Sequence, residues 1–279
     1  MARIRVVTDS ACDIPEQIAR SLDIDIVSLS IRFGDQEFTD RVDLSPDEFW
    51  AKCRASKTLP ETSAPSPGSF QAAFERAVSD DCDGVIVLTL SALLSATYQS
   101  ATVAAEAVAQ SIEIRVIDTK AVSMAQGLLA IEIAEAARAG ADLKTLVQHA
   151  ESLIPKAGIV AMLDTLEHLI KGGRVGGAKA LLGQVLSIKP LLELKDGLVA
   201  EAGRQRTRAK ALAAVAAVAR SHAPLRRLAL VHGGSSDVGV LESLISDITT
   251  EFPLIVADMG PTVGTHGGPG IMALCWIET

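Results

Sequence analysis

Four largely apolar or β-branched runs, at residues 4–8, 24–29, 85–90 and 114–118, alternate with stretches of helical apolar spacing. Runs of this length fit strands buried on both faces, and their alternation with helices implies βαβ units and a parallel sheet. The helix starts are chemically marked. Asp13 before Ile14-Pro15 offers an N-cap and an early proline, and Ser45-Pro46-Asp47-Glu48 a cap followed by acidic first-turn residues. Pro67-Gly68-Ser69 and Thr97 open two further helices, and residues 125–139 and 143–153 carry two more. In such sheets ligands sit beyond the carboxyl ends of the strands. The hydroxyl-rich segments Thr8-Asp9-Ser10, 89–95 and Asp118-Thr119 fall there. A small hairpin insertion is expected at 31–38, around Gly34-Asp35.

After Pro155-Lys156 the order changes. Residues 159–163 read as a strand, and 171–177 as a flexible glycine-rich turn between helices. Residues 191–194 and 198–202 flank Asp196-Gly197, a strong hairpin signal. A basic run at 204–210 then opens an Ala-rich helix, followed by strand 228–231, helix 241–250 and strand 254–257. Mixed pairing of this kind predicts an α/β protein of two domains. The first, 1–155, holds a parallel sheet flanked by helices with the hairpin insertion; the second, 156–279, is a mixed-sheet α/β domain.

Composition excludes several functions. Hydrophobic residues make up 48% but aromatics only 3%, which suits an aliphatic cavity and not the stacking of nucleobases. A net charge of −8 disfavours nucleic acid and anionic membrane. Cys12, Cys53, Cys82 and Cys275 lack metal-ligand spacing, so reduced thiols and no zinc site are expected. The start Met-Ala-Arg-Ile-Arg carries no secretory pattern, and no run is long enough to span a bilayer. A cytoplasmic protein without an integral membrane segment is expected.

The segment 260–270, Gly-Pro-Thr-Val-Gly-Thr-His-Gly-Gly-Pro-Gly, lies between two apolar runs. Its scarcity of side chains predicts a loop whose backbone comes close to a ligand or to another backbone, with Thr265 and His266 at the rim of a small polar pocket. A tight structural crossover between core strands is the alternative. Two more loops concentrate hydroxyls: 61–69, with Thr62 and Ser63, and 90–100, with Ser95. Hydroxyls and free amides at a helix start can hold an anion, though capping uses the same residues. There is no GxSxG, no GxGxxG after a predicted strand, and no histidine or carboxylate cluster with metal spacing. The run 172–179 lacks the spacing of a phosphate loop. Asp9 and Asp13 read as a strand-end turn residue and an N-cap, His149, His168 and His222 as surface or helix-end residues.

Taken in order, certain segments resemble the DegV family, bacterial fatty-acid-binding proteins that serve as carrier subunits of a fatty acid kinase. They are Val7-Thr-Asp-Ser-Ala-Cys-Asp-Ile-Pro15, Thr62-Ser-Ala-Pro-Ser66, residues 90–101, Val116-Ile-Asp-Thr119 with Val122-Ser123, and Leu169-Ile-Lys-Gly-Gly-Arg174. Ile188-Lys-Pro190, Asp196-Gly197, Arg206-Thr-Arg208 and 260–270 complete the match, which covers essentially the whole chain. The resemblance implies one long-chain fatty acid held between two α/β domains, with no cofactor and no metal. It implies a carboxylate site made by Thr62, Ser63, Ser95, Ala96, Thr265 and His266, ordered by Arg174. It places Arg206 and Arg208 at the surface that docks the kinase subunit, and transient membrane contact is compatible with it. Ala64 stands where the family often has Gln, and Ala92 and Ala96 replace Ser and Gly of Ser-Ser-x-Leu-Ser-Gly. A positive φ at Ala96 would be costly.

On this reading the chain is a carrier and no enzyme. Two rivals stand beside it: an acyl hydrolase or acyltransferase using Ser95 and His266, and a regulator that binds acyl groups without delivering them.

Overall fold

The computed structural model describes residues 2–56, 58–181 and 188–279. The chain begins β1 (Ile4–Asp9), α1 (Glu16–Ser21), β2 (Ile24–Val27), β3 (Ser30–Phe33), β4 (Gln36–Thr39), α2 (Pro46–Ala55) and β5 (Glu61–Ser63). It continues α3 (Pro67–Ser79), β6 (Gly84–Thr89), α4 (Thr97–Val108), β7 (Glu113–Asp118), α5 (Met124–Arg138) and α6 (Leu143–Leu153). Then follow β8 (Ala157–Met162), α7 (Glu167–Lys171), β9 (Lys189–Lys195), β10 (Leu198–Gln205) and α8 (Arg208–Ser221). The last elements are β11 (Leu225–His232), α9 (Val238–Ile245), β12 (Ile255–Asp258), α10 (Pro261–Gly267) and β13 (Met272–Glu278).

The four expected apolar runs pair as a parallel sheet in the order β2-β1-β6-β7, with Val6 opposite both Ile24 and Ile86. Successive side chains alternate between its faces. Val7, Val85 and Val87 meet Phe70 and Phe74 of α3, whereas Val6, Ile86 and Leu88 turn toward α5. The second large sheet runs β10-β9-β8-β13-β11-β12 and is antiparallel except for β11 with β12. One of its faces is covered by α8 and α9, against Val160, Met162, Leu228 and Leu274. The other presents Ile159, Ala161, Ala273 and Cys275 to α5. This helix therefore lies between the two sheets, and its residues from Met124 to Ala134 are all buried. Its polar residues in this stretch, Gln126 and Glu132, are buried with partners, as a helix covered on every side requires.

A third sheet, β4-β3-β5, contains the expected hairpin and one strand that the pattern did not predict. Glu61–Ser63 reads as part of a Pro-punctuated loop, yet it pairs antiparallel with β3, Thr62 opposite Ile31. Three residues are too few for a periodicity signal; the distant partner makes the strand.

Ser45 forms the capping box with Glu48, and Ser66, Asp142 and Thr207 cap α3, α6 and α8. Asp13 does not cap. It sits in the left-handed region at φ 51°, and its buried carboxylate accepts from the Ser123 hydroxyl at 2.6 Å and the Gly260 amide at 2.9 Å. The basic run 204–210 is divided: Arg204 and Gln205 end β10, and the helix begins only at Arg208. Among the described residues, no helix is long and apolar enough to cross a membrane.

The largest departure is at 260–270. In place of an open loop there is a helix, α10, with Pro261 at its first turn and Gly264 N–H bonded to Gly260 O. Glycine weakens a helix, but tertiary packing outweighs propensity here. A β-carbon at Gly264 would lie 2.7 Å from Phe49 Cε1 and 2.8 Å from Trp50 Cη2, so the missing side chain lets α10 press onto α2.

Candidate functional site: an apolar cavity with one polar end

Between the two large sheets lies a cavity of roughly 890 Å³ of empty space, that at its open mouth included. Leu29, Leu90, Leu94 and Val122 line it from the first half of the chain. Ile159, Ala161, Leu192, Leu194 and Val199 line it from the second sheet, and Met259 and Ile271 flank α10. The wall is aliphatic, as a core with few aromatic residues dictates.

The polar residues of the wall are Thr62, Ser95, Arg174 and His266, with Thr262 on α10 and Glu193 on β9. Thr62 Oγ1 lies 2.9 Å from His266 Nε2, which ties β5 to α10. His266 Nδ1 is buried without a partner and backs onto Gly172, where a β-carbon would lie 2.2 Å away. Placing the ring proton on Nε2 is the cheaper tautomer, because a buried N–H without an acceptor costs more than an unused lone pair. Thr62 then accepts from the ring, and its own proton is free to point into the cavity. Burial, followed by the nearby charges of Arg174 and His168, lowers the His266 pKa to about 4. The ring is neutral at neutral pH.

Arg174 donates from Nε to Leu94 O at 3.1 Å and from Nη1 to Gly172 O at 2.6 Å. Among the described residues it has no carboxylate partner. Ser95 Oγ lies 2.9 Å from Thr97 Oγ1 and accepts from Thr97 N at 3.3 Å, so the residue starts α4 while facing the cavity. Ser95 and His266 do not bond to each other: the Ser95 hydroxyl engages Thr97, and His266 Nε2 engages Thr62. A neutral imidazole, two hydroxyls and a guanidinium without a carboxylate partner can hold an anionic headgroup by hydrogen bonds and charge. The arrangement lacks the serine–histidine contact that activates a nucleophile.

A family model described as "Uncharacterised protein, DegV family" matches residues 3–279. The chain belongs to the DegV family. A DegV domain-containing protein of Deinococcus radiodurans is 36% identical over 277 residues, 97% of each chain. Among solved structures, a Thermus thermophilus DegV family protein described by its fatty acid binding superposes with TM-score 0.91. It is 31% identical, over 99% of this chain and 100% of that one. A stearic acid-binding protein of Eubacterium ventriosum superposes with TM-score 0.88 at 27% identity, over 100% of this chain and 98% of that one.

Of the residues that the DegV resemblance nominates, Thr62, Ser95, His266 and Arg174 converge on one end of the cavity, and three others do not line it. Ser63 is exposed, its side chain on the opposite side of β5 from Thr62. Ala96 is also exposed, and its φ of −73° removes the cost expected from replacing glycine there. Thr265 is not at a rim: it is buried within α10, and its hydroxyl donates to Pro261 O at 2.8 Å. Thr262, one helical turn before His266, takes its place in the wall. That pairing is visible in sequence only once the segment is read as a helix, since i and i+4 share a face.

Arg206 is exposed, but Arg208 is not a free surface charge. Its guanidinium binds both Asp237 oxygens, at 2.6 and 2.8 Å, and donates to Gly270 O at 2.7 Å, which fixes the turn after α10. His168 is likewise no surface residue: buried on α7, its Nδ1 lies 3.1 Å from Thr265 O.

A second polar cluster anchors the start of α10. Asp40 accepts from Ser10 Oγ at 2.7 Å and from the Thr262 hydroxyl, and Asp13 holds Gly260. Burial raises the Asp40 pKa, and moves Asp9 up to about 6 and Asp13 to about 7. Among the described residues, no group of three or more His, Cys, Asp or Glu is placed to hold a metal ion.

Proposed function

We propose that this chain binds one long-chain fatty acid between its 1–155 and 156–279 halves and presents the carboxylate to a partner kinase for acyl phosphate formation. The observation that carries the reading is the character of the cavity: a predominantly aliphatic wall, with Thr62, Ser95, Arg174 and His266 brought together in it from four segments and Thr262 and Glu193 as its other polar members. Burying an acyl chain gains about 0.8 kcal/mol per CH₂, so a C16 chain represents on the order of 10 kcal/mol before ordering costs. A carboxylate carried into such a cavity needs donors or it takes up a proton. The Thr62 hydroxyl, the Ser95 hydroxyl and the Arg174 guanidinium supply them. The fatty acid binding described for the Thermus thermophilus and Eubacterium ventriosum neighbours supports the same ligand class. Delivery to a kinase rests on the family resemblance and on a chain with no phosphate loop of its own.

Native mass spectrometry of protein purified from a bacterial host tests the first part. One long-chain fatty acid per chain is expected; no bound lipid and no uptake of added palmitate or oleate overturns the reading. Acyl phosphate formed from ATP only when a fatty acid kinase subunit is added tests the second. Ester hydrolysis by the chain alone, lost in Ser95→Ala, would favour the hydrolase.

A further inference from the structure

Ser91 is fully buried, yet it is not part of the cavity wall. Its amide donates to Ala121 O at 2.8 Å, and its carbonyl accepts from Leu94 N at 3.0 Å and Ser95 N at 3.2 Å. Its hydroxyl oxygen accepts from Leu93 N at 3.2 Å. One residue thus folds the 91–95 turn that delivers Ser95. The remaining capacity of the hydroxyl is spent outside the turn, on a partner 106 positions away: it donates to Gly197 O at 2.7 Å.

Gly197 belongs to the Asp196-Gly197 turn joining β9 and β10, strands that contribute Leu192, Leu194 and Val199 to the cavity wall. The turn fits into a socket. A β-carbon at Gly197 would lie 2.6 Å from Ser91 Oγ, 3.5 Å from Lys120 Cβ and 3.6 Å from Leu93 Cδ1, and its φ of +82° also favours glycine. The socket is braced from below by Asp118, whose Oδ1 accepts from Ala92 N at 3.1 Å and Lys120 N at 2.9 Å. On its other side the same 91–95 turn is held by Arg174, through Leu94 O. The segment bearing Ser95 is therefore gripped by two groups from the second half of the chain, a hairpin tip and a guanidinium.

We propose that Ser91 is a positioning residue for the headgroup site. Through its bond to Gly197 it fixes the 91–95 turn so that Ser95 faces the cavity beside Thr62 and Arg174. The inference rests on the fatty acid reading and adds to it a residue that touches no ligand. A hydroxyl suits this position because it can accept inside the turn while donating across to the hairpin; alanine retains the backbone turn but loses the registration against β9 and β10.

The test compares palmitate with hexadecanol, a ligand of equal chain length without the carboxylate, in wild type, Ser91→Ala, Ser95→Ala and the double variant. Loss of a hydrogen bond that positions a donor to a charged group should weaken palmitate binding by Ser91→Ala roughly five- to tenfold. Hexadecanol should lose clearly less, and the double variant should bind palmitate no more weakly than Ser95→Ala alone. Equal losses for both ligands, or effects of the two substitutions that multiply, would overturn the proposal, since a merely structural serine behaves that way. Unchanged palmitate affinity in Ser91→Ala overturns it too, while leaving the fatty acid reading intact. A wild type that binds no fatty acid removes that reading and this inference with it. Gly197→Ala attacks the same contact from the other side and should show the same ligand selectivity, should Ser91→Ala prove too unstable to assay.

Discussion

Replacing Gly172 by alanine presses directly on the imidazole of His266. Gly172 ends α7 at φ −69° and ψ −9°, a conformation that alanine adopts without strain. Considered as backbone alone, the substitution should stabilise the protein by about 0.4–1 kcal/mol, because it restricts the unfolded chain. Its new methyl, however, would stand 2.2 Å from His266 Nδ1 and 2.7 Å from Cε1, with His168 O at 3.2 Å on its other flank. Restoring ordinary contact requires the ring to retreat by about 1.2 Å. A retreat of that size, directed away from Gly172, disturbs the 2.9 Å bond to Thr62. Overpacking costs roughly 1–3 kcal/mol and a lost hydrogen bond roughly 0.5–1.5, so a net destabilisation of about 0.5–4 kcal/mol is expected after the backbone gain. Urea denaturation of ligand-free protein reads the stability, and titration with palmitate reads the site. Both should worsen together. A Gly172→Ala protein that is more stable than wild type and binds palmitate as well would refute the reasoning, by showing that the ring is not held between Gly172 and Thr62.

Thr62→Val should weaken palmitate binding by roughly 1–3 kcal/mol, because a carboxylate oxygen and His266 both lose their partner. Calorimetric titration showing wild-type affinity would place the headgroup elsewhere. Glu132 on α5 is buried and pairs with Arg226 and Arg227 of β11, so Glu132→Ala should cost roughly 1.5–3 kcal/mol in urea denaturation by removing their charged hydrogen bonds, Arg227 keeping Glu135 as its remaining carboxylate; a loss below about 0.5 kcal/mol would show that the pair is replaceable. His266 has a folded pKa of about 4, below its ordinary 6.5. Its contribution to stability is therefore fully present above pH 6.5 and is lost as pH falls toward 4; His266→Gln should remove that acid-side slope. Asp13 acts with the opposite sign, because burial raises its pKa to about 7 from 3.8. Its contribution is fully present below pH 3.8 and is lost as pH rises through 7, so Asp13→Asn should lessen the fall of the denaturation midpoint between pH 4 and 8, Asp9 and Asp40 keeping a part of it.

The parallel sheet was legible because its strands announce themselves twice, by apolar runs and by the capped helices between them. The β9–β10 hairpin was legible from Asp196-Gly197 alone. What escaped was structure made by distant partners. Thr62 lies in a strand only because β3 is there to pair with it. Residues 260–270 lack the periodic apolar stripe and the propensity of a helix, and form one because α2 offers Phe49 and Trp50 to a surface of glycines. That same misreading put Thr265 at the rim and concealed Thr262. Asp13 stands two residues before a proline, where a cap is the cheapest local guess; its actual partners, Ser123 and Gly260, are 110 and 247 positions away. Thr62, Ser95, Arg174 and His266 were nominated by family resemblance, and each comes from a different segment of the chain. Nor does a basic run in sequence show that Asp237 and Gly270 already use the donors of Arg208.

The position of α5 bears on how the molecule comes apart. Both sheets use this one helix as their inner cover, and the Glu132 contacts with Arg226 and Arg227 add a polar seam across the same junction. A fragment that ends near residue 155 would keep α5 with one flank bare, while the complementary fragment would expose the faces of β8, β11 and β13. Neither piece has anything else with which to close itself. Heat or denaturant should therefore melt both halves in one step, and two separately made fragments, mixed, should rebuild the native protein as the second docks onto the bare flank of that helix.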